Sequence, residues 1–317
     1  MPHHSNPNIH DLVTSLEPQM DHVCHAIGAT GLSVSVLSGG KEAYAKHFGL
    51  RDLEAKEALF GDTTYFIASV TKEMRLQVRL YAYDVVDRVI EMVEQKSLEE
   101  VLKERIWEPL GMYRTSMEDL AANTKAVKAY YALKDASPYE VPMPTISHET
   151  IMGAGWAVRS CTDDLAKYYS NFMHTVNHQF NNKTTSTPHS PFKQLTTILQ
   201  PHNHLDLVSL RALSYNYLLI SSMLVVGQGA PGQLTLYHGG SIQGFNTAVY
   251  LLPAAETIII AMQNSSVLGD ACDWIPQMII HKLSGSTGSI DFLRLATMAA
   301  KAALFLPEEI EDELETR

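Results

Sequence analysis

The reading turns on Phe66-Ile67-Ala68-Ser69-Val70-Thr71-Lys72. Its Ser-x-x-Lys spacing sets a hydroxyl and an amine on one face of a helix, one turn apart. An amine held there can take the serine proton and turn a poor nucleophile into a good one. The tetrad alone is weak evidence, because at ordinary Ser and Lys usage a chain of this length holds about one such match by chance. Its setting says more. A two-strand pattern precedes it, and Tyr237-His238-Gly239-Gly240-Ser241 follows far downstream between two more strand-like runs.

Working outward, Gly31–Ser38 alternates in part through Leu32, Val34 and Val36 and ends at Gly39-Gly40, a hairpin turn before a return strand, Lys41–Gly49. Before it, Asp11–Ala26 reads as an amphipathic helix with Leu12, Leu16, Met20 and Val23 on one face, interrupted by Pro18. Asp62-Thr63-Thr64 offers capping residues ahead of the Ser69 helix. Tyr83–Ile106 carries helical spacing, with a turn near Lys96-Ser97, and residues 113–152 are loop-rich. Cys161–Met173 is predicted helical, with Thr162 as N-cap and Asp163 and Asp164 in the first turn. His178–Pro191 reads as a polar surface loop, and Leu207–Gln228 is ambiguous between strand and helix. Gln233–His238, Phe245–Leu252 and Thr257–Gln263 read as consecutive strands, joined at Gly239-Gly240 and Pro253-Ala254, and Asp270–Leu283 as a closing helix.

Strands at both ends with helices between them predict an α+β fold. Its antiparallel sheet is built from both ends of the chain and flanked by N- and C-terminal helices, with a helical insertion in the middle. One domain is expected over residues 1–284, its α/β part at about 10–75 and 205–284 and its helical part at about 76–204. A helical, acidic tail follows over 285–317, where Glu308, Glu309, Glu311, Asp312, Glu313 and Glu315 read as a solvated block.

The composition, 45% apolar and 19% charged, is that of a globular protein able to bury a sizeable core. A net charge of −11 argues against nucleic acid or an anionic membrane as the main partner. Cys24, Cys161 and Cys272 are odd in number and far apart, so neither a disulfide framework nor a zinc site is indicated. The pairs His3/His4 and His202/His204 lack a carboxylate or cysteine at ligand spacing, so no metal is expected, and no Gly-rich phosphate loop marks a cofactor. The first residues lack a basic and apolar signal pattern, and no run reaches the roughly 18 apolar residues of a membrane span. A cytoplasmic location is expected.

With these elements in place, the chain resembles the serine β-lactamase-like superfamily, which includes class C β-lactamases, D-Ala-D-Ala carboxypeptidases and related esterases and acyltransferases. Four stretches carry the resemblance. Ser69-Val70-Thr71-Lys72 matches the nucleophile motif. Residues 102–112, Leu-Lys-Glu-Arg-Ile-Trp-Glu-Pro-Leu-Gly-Met, followed by Thr115-Ser116-Met117, look like the family's "ERIFEPLGMxxTSF" segment. Residues 153–160, Gly-Ala-Gly-Trp-Ala-Val-Arg-Ser, then Asp163-Asp164-Leu165, look like "GGLxSTxxDLA". Tyr237-His238-Gly239-Gly240, then Gly244-Phe245, look like the "HxGxxxGF" strand.

The family also carries a Tyr-x-Asn motif many tens of residues after the serine, on a helical block that walls the cleft. Here the next helix starts at about Tyr83, only fourteen residues after Ser69, and Val78 and Leu80 fall where the tyrosine and asparagine belong. The block is missing. Tyr81 and Tyr83 are the nearest candidates for a proton relay. Tyr169-Ser170-Asn171 matches the motif literally but sits in a helix that in the family lies away from the nucleophile, so it reads as a decoy.

The resemblance implies attack by Ser69 on a carbonyl, with Lys72 as base and a covalent acyl-enzyme as intermediate. The Ser69 N–H and one from the strand after His238 would form the oxyanion hole, the substrate strand comprising His238, Gly239, Gly240 and Ser241. His238 stands where many β-lactamases have a lysine. An imidazole binds a carboxylate less firmly than an ammonium does, which favours esters or thioesters over β-lactam or D-Ala-D-Ala substrates. Two readings stay open: a serine hydrolase or acyltransferase acting on a small acyl substrate, and a catalytically impaired relative that binds without reacting.

Overall fold

The computed structural model describes residues 8–75, 83–118, 125–147, 150, 153–199, 203–206, 213–215, 220–224, 233–285 and 288–315. Helices α1 (Ile9–Thr14) and α2 (Glu17–Ala26) lead into strands β1 (Gly31–Ser38), β2 (Lys41–Asp52), β3 (Glu57–Ala58) and β4 (Tyr65–Phe66). A 3₁₀ segment, Ala68–Arg75, comes next. The insertion holds α3 (Tyr83–Glu94), α4 (Leu98–Leu102), α5 (Glu108–Leu110), β5 (Ala129–Ala132), β6 (Pro138–Val141), α6 (Gly153–Trp156), β7 (Arg159–Ser160), α7 (Thr162–Asn182) and α8 (Leu195–Ile198). The chain returns through β8 (Asn203–Asp206), β9 (Leu213–Tyr215), β10 (Ile220–Leu224), β11 (Gln233–Ile242), β12 (Phe245–Leu252), β13 (Thr257–Gln263) and β14 (Ser265–Ser266), and ends in α9 (Ala271–Leu283) and α10 (Phe292–Glu315).

The main sheet runs β3-β2-β1-β13-β12-β11-β10-β9-β8, so β1 from one end of the chain pairs antiparallel with β13 from the other at its centre. This is the α+β architecture expected from the strand pattern. β12 and β13 are buried along their whole length because both faces are covered. Ile258, Ile260 and Met262 pack with the 3₁₀ segment and α7, while Ile259 and Ala261 pack with α2, α9 and α10. Two-sided burial explains why these strands read as continuous apolar runs rather than an alternation.

Several expectations are corrected. The first helix is two, because Pro18 lacks an N–H and is tolerated only in a helix's first turn, so α2 restarts there. Cys161, in extended conformation, is the N-cap of α7. Thr162 is already helical, and its hydroxyl donates to the Gly61 carbonyl. α7 also runs on to Asn182, through the start of the expected polar loop. Gly239-Gly240 is no turn but lies inside β11, and the hairpin closes at Gln243-Gly244, where Gly244 has φ +76°. The acidic tail is helical backbone to Glu315. Residues 113–152 hide the β5–β6 hairpin, whose Pro138 opens a short strand. Of the ambiguous 207–228 stretch, the described parts are the strands β9 and β10.

On α3, Val89, Met92 and Val93 are exposed, Met92 and Val93 by more than two thirds. The three cysteines are buried free thiols. Among the described residues no helix is long and apolar enough to cross a membrane.

Asp270 caps α9 by accepting from the Cys272 N–H at 2.8 Å. Burial, with the nearby Asp273 charge second, pushes its carboxyl up from 3.8 to about 7. Between those values the folded chain holds a proton that the unfolded chain has released. Stability from this group is therefore largest at the acid end and is lost as pH rises through about 7. Asp270→Asn keeps a capping acceptor. It is expected to flatten this pH dependence and to raise Tm at about pH 8 by several degrees, an order set by the usual scaling. Parallel slopes in thermal melts of the two proteins from about pH 5 to 8 would refute the assignment.

Candidate active site

Ser69 and Lys72 sit in a 3₁₀ rather than an α segment. In a 3₁₀ turn side chains at i and i+3 eclipse, which brings Lys72 Nζ to 2.6 Å from Ser69 Oγ, the amine donating. The segment is entered through Ala68, whose φ of +46° is left-handed. For a residue bearing Cβ this costs on the order of 1–2 kcal/mol. The surroundings hold it there: Ala68 and Val70 are fully buried, the Ile67 N–H donates to the Val158 carbonyl at 3.0 Å, and the Val158 N–H donates to Thr71 Oγ1 at 3.3 Å.

Lys72 is approached by α6. Its Nζ lies 5.8 Å from the centroid of the Trp156 ring, and a Cβ added at Gly155 would sit 3.4 Å from its Cε. The Gly153–Trp156 segment quoted for the family likeness is thus beside the lysine. On the other side, β11 crosses the start of the 3₁₀ segment. A Cβ on Gly240 would run into the Ile67 carbonyl oxygen and sit 2.9 Å from the Ser69 nitrogen. Only glycine allows this approach. β10 pairs with β11 over Gln233–Tyr237. At Gly240 the face of β11 lies against the start of the 3₁₀ segment, beside the Ser69 nitrogen.

His238 is buried, and it does not stand alone. Its Nδ1 is 2.6 Å from Glu73 Oε1. Tyr169 donates its phenol to Glu73 Oε2, and Tyr168 donates to the Glu73 carbonyl at 2.8 Å. Burial first, and the Glu73 charge second, hold both phenols well above their ordinary range, so both stay protonated donors. Glu73 therefore ties three elements together: the 3₁₀ segment, α7 and β11. Neither Glu73 nor this use of Tyr169 was anticipated. The one signal was a carboxylate placed four residues after Ser69, beside the lysine.

The structure thus brings Ser69, Lys72, His238 and Gly240 together. Gly239 points to the opposite face, against the Tyr237 hydroxyl, and the Ser241 side chain is exposed. Tyr81 lies outside the described residues. Tyr83 opens α3, and its side chain lies outside them too. Tyr169 is buried against the 3₁₀ segment, its phenol on Glu73. Asn171 accepts from Ser190 at 2.7 Å, a structural role.

The family model for beta-lactamases matches residues 80–281. This chain belongs to the beta-lactamase family. The matched span begins after Ser69 and Lys72, so the family assignment is independent of the Ser-x-x-Lys tetrad. A curated relative, the unguisins hydrolase ungD' of Aspergillus campestris (strain IBT 28561), is 24% identical over 184 residues, 57% of this chain and 32% of its own length. The chain spans about a third of that relative. Among solved structures, the octameric penicillin-binding protein homologue from Pyrococcus abyssi superposes with TM-score 0.69 at 18% identity, covering 86% of this chain and 78% of that one. The D-alanine carboxypeptidase AmpC from Burkholderia cenocepacia gives 0.64 at 14% identity, with 87% and 99% covered. A class C beta-lactamase gives 0.62 at 13% identity, with 92% and 100% covered. At these identities the structural likeness speaks for the beta-lactamase fold alone. The 3₁₀ segment ends at Arg75 and α3 begins at Tyr83, so seven residues, 76–82, span the place of the family's Tyr-x-Asn block.

Proposed function

We propose that the protein is a serine hydrolase or acyltransferase that works through a Ser69 acyl-enzyme on a small ester, thioester or amide. The observation that carries this reading is the 2.6 Å contact between Lys72 Nζ and Ser69 Oγ in a turn that also sets the Ser69 nitrogen against Gly240 of β11. Lys72 acts as a neutral amine, and its Nζ lone pair takes the proton from Ser69 Oγ as that oxygen bonds to the substrate carbonyl carbon. The carbonyl oxygen becomes an oxyanion beside the Ser69 N–H and an N–H of β11, each such donor contributing about 3 kcal/mol. Collapse of the intermediate expels the leaving group, which receives the proton from Lys72, and leaves Ser69 acylated. Water or another nucleophile then releases the acyl group by the same steps in reverse. That the curated relative is a hydrolase supports water as the acceptor.

The test is intact-protein mass after incubation with a fluorophosphonate and with p-nitrophenyl acetate. One adduct is expected on the wild type and none on Ser69→Ala. Adducts on both would remove Ser69 from the mechanism. None on either, from a sample with a cooperative melt, would favour a binding protein that kept the scaffold without the chemistry, the reading suggested by the shortened 76–82 connection.

A further inference from the structure

His238 and Gly240 are two residues apart on β11, so they share one face of the strand. That face is the one Gly240 turns toward the Ser69 nitrogen. The imidazole of His238 therefore stands one pleat from the oxyanion region. Its Nδ1 is occupied by Glu73, whose second carboxylate oxygen accepts from Tyr169. Among the described residues no hydrogen bond engages Nε2. An ionised carboxylate only accepts, so the proton between it and a neutral imidazole belongs to Nδ1, and Nε2 is then a bare lone pair. This is how an outer carboxylate sets which ring nitrogen of a histidine is available.

We infer that Glu73 is a positioning residue that fixes His238 as the Nδ1–H tautomer, so that the site takes acyl donors offering an N–H or O–H to Nε2 and disfavours donors ending in a carboxylate there. The selectivity half rests on the acyl-enzyme reading, whereas the tautomer does not. A lone pair cannot pair with a carboxylate, and a site built to accept a hydrogen bond discriminates strongly against a group that cannot supply one. The chemistry differs from that of a lysine at this place, which would attract an anion.

Two measurements test it. The first is two-bond ¹H–¹⁵N correlation of histidine rings in ¹⁵N-labelled protein near neutral pH, with the His238 signals assigned by their loss in His238→Gln. Wild type is expected to show Nδ1 protonated and Nε2 unprotonated. In Glu73→Gln, whose amide can both donate and accept, the two tautomers should mix, and Tyr169→Phe, a smaller change, should stay close to wild type if Glu73 folds poorly as Gln. An Nε2–H or doubly protonated ring in the wild type overturns the inference.

The second compares acylation by two matched p-nitrophenyl esters whose acyl chains end in a carboxamide or a carboxylate. A preference of about tenfold or more for the carboxamide is expected, narrowing in Glu73→Gln through KM more than kcat. Equal rates, or preference for the carboxylate, overturn the selectivity. If neither ester nor the fluorophosphonate modifies the wild type, the acyl-enzyme reading falls and takes the selectivity with it, while the ring spectra still decide what Glu73 does.

Discussion

Lys72→Met should acylate on Ser69 some 10²–10⁴-fold more slowly than the wild type, the range that general-base assistance contributes. Methionine keeps the length and the contact with Trp156 while removing the amine that sits 2.6 Å from Ser69 Oγ. Because Lys72 is half-buried at the surface of the cleft, its loss should leave Tm within a few degrees of the parent. The time course of fluorophosphonate adduct formation by mass reads the rate directly. A variant labelled within about threefold of wild type would mean that some other group takes the serine proton. That outcome would turn attention to Tyr81 and Tyr83, whose placement relative to Ser69 the described residues do not fix.

Gly240→Ala is expected to be the most damaging single-atom addition near the site. Its methyl would meet two backbone atoms, the Ile67 carbonyl oxygen and the Ser69 nitrogen, and backbone cannot rotate away as a side chain can. Either β11 or the 3₁₀ segment must move. Overpacking of this kind costs about 1–3 kcal/mol, which should show as a clear fall in Tm. A shift of about 1 Å in the nucleophile costs on the order of 10² in rate, so labelling should drop with it. Gly155→Ala is the comparison. Its methyl meets only the flexible Lys72 Cε at 3.4 Å, so the variant should melt like the parent. Equal melting and labelling of Gly240→Ala and wild type would refute the close approach of β11 to Ser69.

Much of the fold was legible because local rules and burial agree. The β1–β2 hairpin shows its alternation and its Gly39-Gly40 turn, both glycines at positive φ. The closing helix declares its cap, Asp270. Gly239-Gly240 misled because a glycine pair is the usual mark of a turn. Here one of the pair is demanded by a neighbour 171 residues away, the Ser69 nitrogen, and no local pattern reports such a contact. In the candidate site the serine and lysine were legible because their spacing is itself the geometry. Glu73 was not, because its partners His238, Tyr168 and Tyr169 come from a strand and a helix far along the chain. The literal Tyr169-Ser170-Asn171 shows the converse: the letters match the motif, but the fold places that phenol beneath the serine's segment.

The pairing of β1 with β13 has a consequence for how such a chain can lose a block and still fold. Seen from the main sheet, everything between Ala58 and Asn203 is one excursion that leaves from one edge strand, β3, and returns at the other, β8. The entropy of closing a long excursion grows only with the logarithm of its length, so even a twofold change alters it by about 0.6 kcal/mol. Shortening inside such an excursion is therefore nearly invisible to the sheet and is felt within the excursion itself, where its own helices pack. By the same arithmetic, sequence added between Arg75 and Tyr83 should have little effect on the pairing of the main sheet.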